Sequence, residues 1–102
     1  MRVKERVEAH KALSDPARLR LFSLIVESDR PLGIPEMAGN VGLHPNTIRS
    51  HLRRLELAGL VSPQVEDRTT RGRPKVLFKP GPEAEDMEPG GRNYRLLATI
   101  LA

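Results

Sequence analysis

The side chains best suited to specific chemistry lie between Leu43 and Val61, in the segment LHPNTIRSHLRRLELAGLV. Its polar and basic residues share one side of a helix: Asn46, Thr47, Arg49, Ser50, Arg53 and Arg54. Ile48, Leu52 and Leu55 recur at helical spacing and form a narrow apolar stripe on the other side. Asn can pair with adenine through two hydrogen bonds, and Arg can pair with guanine. The segment is therefore predicted to be a recognition helix that lies in the major groove of DNA.

The bounds of this helix follow from three residues. Pro45 suits the first helical position, where its missing N–H has no intrahelical partner. His44 then occupies the cap position, and Gly59 ends the helix because it can adopt a left-handed conformation. We expect the recognition helix to span residues 45–58. Its first half enters the groove most deeply, so the predicted base readers are Asn46, Thr47, Arg49 and Ser50. The predicted remainder of the DNA surface is His44, Arg53 and Arg54.

After Gly59 the apolar period changes from about 3.6 to 2, which predicts two strands joined by a basic loop. The loop and its exit, residues 67–75, are predicted to be a wing that binds the adjacent minor groove. Its Arg71-Gly72-Arg73-Pro74 sequence resembles the core of an AT-hook, in which arginines enter a narrow A/T minor groove. The predicted DNA contacts of the wing are Arg68, Arg71, Gly72, Arg73 and Lys75. The alternative is a basic loop that touches phosphates only.

Charge is distributed unevenly along the 102 residues, whose net charge is +4. Between His44 and Lys79 there are eight Lys or Arg against three Asp or Glu, a net charge of +5. The rest of the chain carries nine against ten, a net charge of −1. The positive excess therefore coincides with the predicted recognition helix and wing, as expected of a surface that binds phosphates.

Several classes of function find no support in the residues. The chain has no cysteine, which excludes disulfides, zinc fingers and thiolate iron–sulfur sites. His10, His44 and His51 lack the spacing that would chelate a metal on a helix, so no metal or cofactor is predicted. No catalytic trio, carboxylate pair or phosphate loop indicates an enzyme. No signal peptide or membrane-length apolar run occurs, so we expect a cytoplasmic protein without membrane contact.

Three helices are predicted before the recognition helix. The first spans residues 3–13, and the second runs from Pro16, capped by Asp15, to about Glu27. The second helix is apolar almost all round, so it should form the centre of the core. Leu32-Gly33 is a candidate edge strand, and a third helix follows over 34–41. A helix, a short turn at Gly42 and a second helix make a helix-turn-helix.

The predicted winged-helix domain covers residues 1–80, and two further segments follow it. Residues 81–91 are acidic and rich in Pro and Gly, which predicts a linker or a loosely held short helix. Residues 92–102 predict a last helix whose apolar stripe includes Tyr94, Leu97, Ala98 and Leu101. Such a helix must bury its apolar side, either in a partner subunit as a dimerisation element or in sequence that would follow.

Two motifs together resemble the ArsR-type winged helix-turn-helix regulators of bacteria. Residues 12–20, ALSDPARLR, are similar to the opening of that domain, and residues 45–61 are similar to its recognition helix and exit. The resemblance implies a homodimeric transcription regulator that reads a palindromic operator. It also implies a dimer interface made by the first and last helices, with these residues: Val3, Val7, Tyr94, Leu97, Ala98 and Leu101. Metal-sensing members often carry cysteines in the third helix, and Ile34–Val41 has none.

The predicted fold class is α+β and mainly α: a winged helix-turn-helix with a two- to three-stranded wing and a C-terminal helix. The predicted function is sequence-specific binding of double-stranded DNA as a transcriptional regulator, with no effector indicated. One alternative is a protein-interaction module that docks through the apolar last helix. A second is RNA binding, which the narrow major groove of A-form RNA and the scarcity of aromatic residues disfavour.

Overall fold

The computed structural model describes residues 3–66 and 74–87. Within these ranges, the helices and strands follow one another in an order typical of a winged helix. The elements are α1 (Val3–Leu13), α2 (Pro16–Glu27), β1 (Leu32–Gly33), α3 (Ile34–Val41), α4 (Pro45–Leu57), β2 (Val61–Glu66), β3 (Lys75–Pro80) and a 3-10 helix (Glu85–Met87). Within the described ranges the predicted helix bounds are confirmed, except that the recognition helix ends one residue earlier, because Ala58 is its C-cap.

The three strands form one antiparallel sheet in the order β1-β3-β2. The short β1 pairs with β3 through Leu32 and Phe78, so the predicted edge strand is confirmed. In the β2–β3 hairpin, Pro63 lies opposite Phe78 and Glu66 lies opposite Lys75. Pro63 has no N–H to donate, and its strand is accordingly an outer strand of the sheet. The fold class predicted from the sequence is confirmed in these elements.

Helix α2 lies at the centre of the core. Its Leu21 and Phe22 are fully buried and Ile25 is nearly so, because neighbouring elements cover it from several sides. The apolar stripe of α4 packs into the same cluster, and so does Phe78 of β3. The remaining apolar residues of α2 are only partly buried, and they pack against the edge of the core. The all-round apolar pattern of this helix thus predicted its central position correctly.

Asp15 determines where α2 begins. Its Oδ1 accepts hydrogen bonds from the backbone N–H groups of Ala17, at 2.8 Å, and Arg18, at 3.1 Å. The Arg18 N–H bond is the main reason why the pKa of Asp15 lies below its usual value. Arg18 also donates from Nε to the carbonyl oxygen of Ala12 at 2.6 Å, which ties α2 to the end of α1.

The end of α4 is a glycine-terminated turn, as the sequence predicted. Gly59 has a φ of 75°, and its N–H donates to the carbonyl of Glu56 while the N–H of Leu60 donates to that of Leu55. This pair of bonds is the Schellman motif. Leu60 is fully buried, so the turn directs the chain from the recognition helix into the sheet.

The segment after β3 packs closely against this turn. The N–H of Gly81 donates to the carbonyl of Leu60, and that of Glu83 donates to Gly59, both at 2.9 Å. A Cβ atom on Gly81 would lie 2.4 Å from the carbonyl oxygen of Gly59, so only glycine fits there. Ala84 and Met87 then enter the core. The described part of the predicted linker, residues 81–87, therefore packs onto the domain, because its two apolar side chains bury themselves.

The predicted wing tip and the predicted last helix lie outside the described residues, which leave out 67–73 and 88–102. Among the helices of the described ranges, none has the length and apolar character that crossing a membrane requires.

Candidate nucleic-acid interface

Helix α4 has two chemically different sides. Ile48 and Leu55 are fully buried and Leu52 is 2% exposed, so the apolar stripe anchors the helix to the core. The opposite side carries the residues that the sequence predicted to contact DNA. All of them are exposed: His44, Asn46, Thr47, Arg49, Ser50, Arg53 and Arg54. The structure therefore brings the predicted helix residues together on one accessible surface.

The first turn of α4 is held by His44. Its Nδ1 accepts a hydrogen bond from the backbone N–H of Asn46 at 3.0 Å. This interaction satisfies one of the N–H groups that a helix start leaves without an intrahelical partner. Because Nδ1 is used inside the protein, His44 has Nε2 left for any contact with a ligand. His44 thus has a structural role beside its predicted role at the DNA surface.

Asn46 and Arg49 are linked on the exposed face of α4. Arg49 donates from Nη1 to Oδ1 of Asn46 at 2.8 Å, across one turn of the helix. The bond restricts the long Arg49 side chain, which otherwise loses considerable rotamer freedom when it binds a ligand. Two predicted base readers are therefore oriented as a pair before any ligand arrives.

An open groove of about 920 Å³ lies between the β2–β3 hairpin, the β1–α3 region and one residue of α4. Arg49 borders it on the α4 side, and Gln64, Glu66 and Lys75 border it on the hairpin side. The remaining lining residues come from the β1–α3 region and from β3: Arg30, Pro31, Gly33, Ile34, Pro35, Glu36, Pro74, Val76 and Leu77. We call this feature the helix–hairpin groove. It carries three cationic side chains and two carboxylates.

One ion pair lies at the edge of the helix–hairpin groove. The Arg30 guanidinium donates from Nη1 to Oε1 of Glu36 at 3.1 Å and from Nη2 to Oε2. The pair is bidentate, which is the favoured geometry between an arginine and a carboxylate. The hydrogen bond from Arg30 is the largest influence that lowers the pKa of Glu36, and the charge of Lys75 lowers it further. The positive charge of Lys75 is thus close enough to act on the Glu36 carboxylate.

The predicted wing residues fall into two groups. Lys75 begins β3 and is exposed at the end of the hairpin next to residues 67–73. Four others lie outside the described residues: Arg68, Arg71, Gly72 and Arg73. For the predicted dimer interface, Val7 of α1 is 45% exposed in the single chain. Val3 belongs to α1 by its backbone, while Tyr94, Leu97, Ala98 and Leu101 lie outside the described residues.

Sequence reasoning missed the contribution of Arg30, Glu36 and Gln64 to this surface. The sequence predicts no role for Arg30, and it places Glu36 only within the third helix, 34–41. No local pattern connects them with α4, because they lie between 13 and 19 residues from Arg49 in the sequence. The one available signal was the strand period of Val61–Val65, which places Gln64 on the side of β2 opposite to Val61 and Val65.

Across residues 3–66 and 74–87, no group of three or more His, Cys, Asp or Glu side chains is arranged to hold a metal ion. The chemistry of the described surface is that of hydrogen-bond donors, amides and arginines, which suits recognition of an anionic, polar partner.

Sequence comparison relates the chain to known regulators. The pattern that defines the Helix-turn-helix domain family matches residues 13–64. The chain is 37% identical over 59 residues to the uncharacterized HTH-type transcriptional regulator Rv0081 of Mycobacterium tuberculosis, an alignment covering 58% of this chain and 51% of that protein. The same figures hold for MT0088 from another strain of that organism. The aligned chain thus spans about half the length of these curated relatives.

Solved structures confirm the winged helix-turn-helix fold that the sequence predicted. The crystal structure of Rv0081 superposes with a TM-score of 0.67 at 26% identity, covering 96% of this chain and 90% of that one. HlyU from Vibrio cholerae gives a TM-score of 0.68 at 20% identity, covering 95% and 91%. A homodimeric winged helix-turn-helix DNA-binding domain from Mycobacterium bovis, Mb0332, described as a possible ArsR-family regulator, gives 0.65 at 21% identity, covering 96% and 76%.

Proposed function

Since the chain belongs to the Helix-turn-helix domain family, we propose that it is a transcriptional regulator that binds double-stranded DNA sequence-specifically. In this proposal α4 enters the major groove, and residues 67–75 contact the adjacent minor groove. The observation that carries it is the two-sided character of α4, whose apolar side is buried while its amide, hydroxyl and guanidinium groups are exposed. As a bacterial regulator it would act in the cytoplasm.

The residues of α4 make different kinds of DNA contact according to their position in the helix. Asn46, Thr47, Arg49 and Ser50, in the first half of the helix, read base edges, and Arg53 and Arg54 contact phosphates. Base-edge contacts carry specificity, whereas phosphate contacts position the protein and supply much of the affinity. The wing adds minor-groove contacts from Arg71 and Arg73. Arginines bind A/T tracts preferentially because the narrow minor groove there has a strong negative potential.

We further propose that the protein binds as a homodimer. The related Mb0332 domain is homodimeric, and Val7 of α1 leaves an apolar side chain nearly half exposed. The last helix, residues 92–102, would supply the rest of the interface. A dimer would place two copies of α4 on half-sites one helical turn apart. Sedimentation of the chain with and without residues 92–102 tests this, and a monomer in both cases would refute it.

The DNA-binding proposal is tested by selecting sites from a random duplex library and then measuring affinity by fluorescence anisotropy. The selected duplex should bind far more tightly than a random one. Arg49→Ala should lose about 1–3 kcal/mol of discrimination at one base pair. The matched control is Arg20→Ala, which removes an exposed arginine from α2 and should leave both affinity and preference unchanged.

The wing is tested on the same duplexes. Arg71→Ala combined with Arg73→Ala should weaken binding chiefly where A/T tracts flank the site, and equal weakening on all sequences would refute minor-groove reading. If no duplex is enriched and no binding occurs at micromolar protein in low salt, the regulator proposal fails. That outcome is the one expected of a protein-interaction module.

A further inference from the structure

We infer that the helix–hairpin groove binds the sugar–phosphate strand that separates the major from the minor groove, and that Arg30 exchanges its partner Glu36 for a phosphate of that strand. This inference rests on the proposed function, since it takes α4 and the wing to occupy neighbouring grooves of one duplex. It adds a contact residue, Arg30, that lies outside both the recognition helix and the wing.

The position of the groove points to a phosphodiester strand. Adjacent major and minor grooves of duplex DNA share one backbone strand as their common wall. If α4 lies on one side of that wall and the loop after Glu66 lies on the other, the strand must cross the surface between them. The helix–hairpin groove is that surface, because Arg49 of α4 and Lys75 of the hairpin border its two sides.

Three cationic side chains against two carboxylates, Glu36 and Glu66, leave the groove with a net charge of +1, which favours an anion. Lys75 forms no ion pair with another side chain of the described residues, so it is available to phosphate. Arg30 is bound to Glu36, yet 61% of its side-chain surface remains exposed. A guanidinium forms bidentate hydrogen bonds with the oxygens of a carboxylate and of a phosphate alike. Arg30 can therefore change partner without leaving the groove.

Glu36 is the competing anion in this exchange. It occupies the guanidinium of Arg30 in the free protein, and its carboxylate would lie beside the incoming strand. Exposed ion pairs contribute little to stability because water and salt screen them, so the Arg30–Glu36 pair is easily opened. A phosphate of the bound strand, which Lys75 also contacts, then replaces Glu36 as the partner of Arg30. Glu36 accordingly reduces DNA affinity without preventing binding.

The test measures binding of a labelled random-sequence duplex by anisotropy, over KCl concentrations from about 50 to 200 mM. Arg30→Gln should weaken binding several-fold and make the log–log salt slope shallower by about 0.9, the value for one phosphate contact. Glu36→Gln should tighten binding by up to about fivefold, since one exposed ion pair no longer competes. In Arg30→Gln/Glu36→Gln the gain should vanish, because it depends on Arg30.

Matched controls come from α2. Arg20 and Glu27 line a different cavity, which shares no residue with the helix–hairpin groove. Arg20→Gln and Glu27→Gln make the same charge changes, so they correct for the net charge of the protein. Thermal unfolding of every variant distinguishes a phosphate contact from a purely structural ion pair. A purely structural pair would lower the melting temperature of Arg30→Gln and Glu36→Gln alike and leave the salt slope of DNA binding unchanged.

Two outcomes would overturn the inference. In the first, Arg30→Gln has the affinity and salt slope of Arg20→Gln, so Arg30 contacts no phosphate. In the second, the gain from Glu36→Gln persists without Arg30, so Glu36 acts only as a nearby negative charge. Either result leaves the proposed function intact if Arg49→Ala still loses base discrimination. Absence of duplex binding by the unmodified protein would instead refute the proposed function itself.

Discussion

Helices α2 and α4 begin in the same way and serve opposite purposes. Each has a side-chain cap followed by proline at the first position. Helix α2 is apolar around most of its circumference, and its middle residues are buried. Helix α4 buries one apolar stripe and exposes amide and guanidinium groups. The same start signals therefore specify a helix in both places, while the distribution of apolar residues around it decides whether it supports the core or faces a partner. Stability should therefore depend on α2, and recognition on the exposed side of α4.

The largest effect is expected in α2, from Phe22→Ala. Phe22 is fully buried, and truncating a buried Phe typically costs about 3–5 kcal/mol of unfolding free energy. A small domain has little more than that to lose. Urea denaturation followed by circular dichroism measures the change. Arg53→Ala on the exposed side of α4 is the comparison variant, expected within about 0.5 kcal/mol of the parent. Equal losses in the two variants would break the distinction between the helices.

Gly81→Ala should have the next largest effect, because it acts on the turn that ends α4. The added Cβ would meet the backbone carbonyl of Gly59 at 2.4 Å, and backbone atoms cannot rotate away as a side chain does. We expect a loss of about 1–3 kcal/mol in urea denaturation, as in overpacked cores. Gly39→Ala is the control, since a Cβ atom there meets no atom within 4 Å. This substitution should stabilise α3 by up to about 1 kcal/mol, because alanine has the higher helix propensity. A neutral Gly81→Ala would show that residues 81–87 do not brace α4.

Asp15→Ala should cost about 1 kcal/mol by removing the cap of α2. Since hydrogen bonding lowers the pKa of Asp15 in the folded state, its contribution is complete above the unfolded pKa of about 3.9. It is lost as pH falls through the lower pKa of the folded state. Asp15→Asn keeps an acceptor but does not titrate. The stability difference between the parent and Asp15→Asn should therefore shrink below about pH 4, and a constant difference would contradict the cap assignment.

The smallest effect is expected at the cap of α4, and it separates two roles of His44. Serine is a better cap than histidine, so His44→Ser should raise stability by about 0.5 kcal/mol or less, and His44→Ala should lower it by a similar amount. Anisotropy with a selected duplex then reports the second role. If His44→Ser binds DNA as the parent does, His44 acts only as a cap. A loss of affinity together with unchanged or higher stability would assign it a contact with DNA.

Much of this architecture was predictable, because local residues carry it. Asp15 and Pro16, then His44 and Pro45, mark helix starts. Gly59 marks a helix end because glycine adopts the left-handed conformation without steric cost. The period of Ile48, Leu52 and Leu55 determined which side of α4 would be exposed. For these features the physical cause lies within a few residues of its effect.

The helix–hairpin groove was not predictable in the same way. Arg30, Arg49 and Lys75 border it from three separate segments, and the sequence pattern around each residue does not reveal the other two. The packing of residues 81–87 was missed for a related reason. Their acidic, Pro/Gly-rich composition indicates a linker, whereas the space for Ala84 and Met87 exists only after α4 and the sheet have come together.

By itself, the amino-acid order determined the succession of helices and strands, the buried stripe of α4 and the residues available to contact DNA. Caps, turns and periodicity are short-range effects, so they can be inferred before folding is known. Which charges meet depends instead on how the elements pack. This packing paired Arg30 with Glu36 and brought both to a groove shared with Arg49 and Lys75. Electrostatic interactions depend on distance in space, and that distance is set by the packing of the whole core.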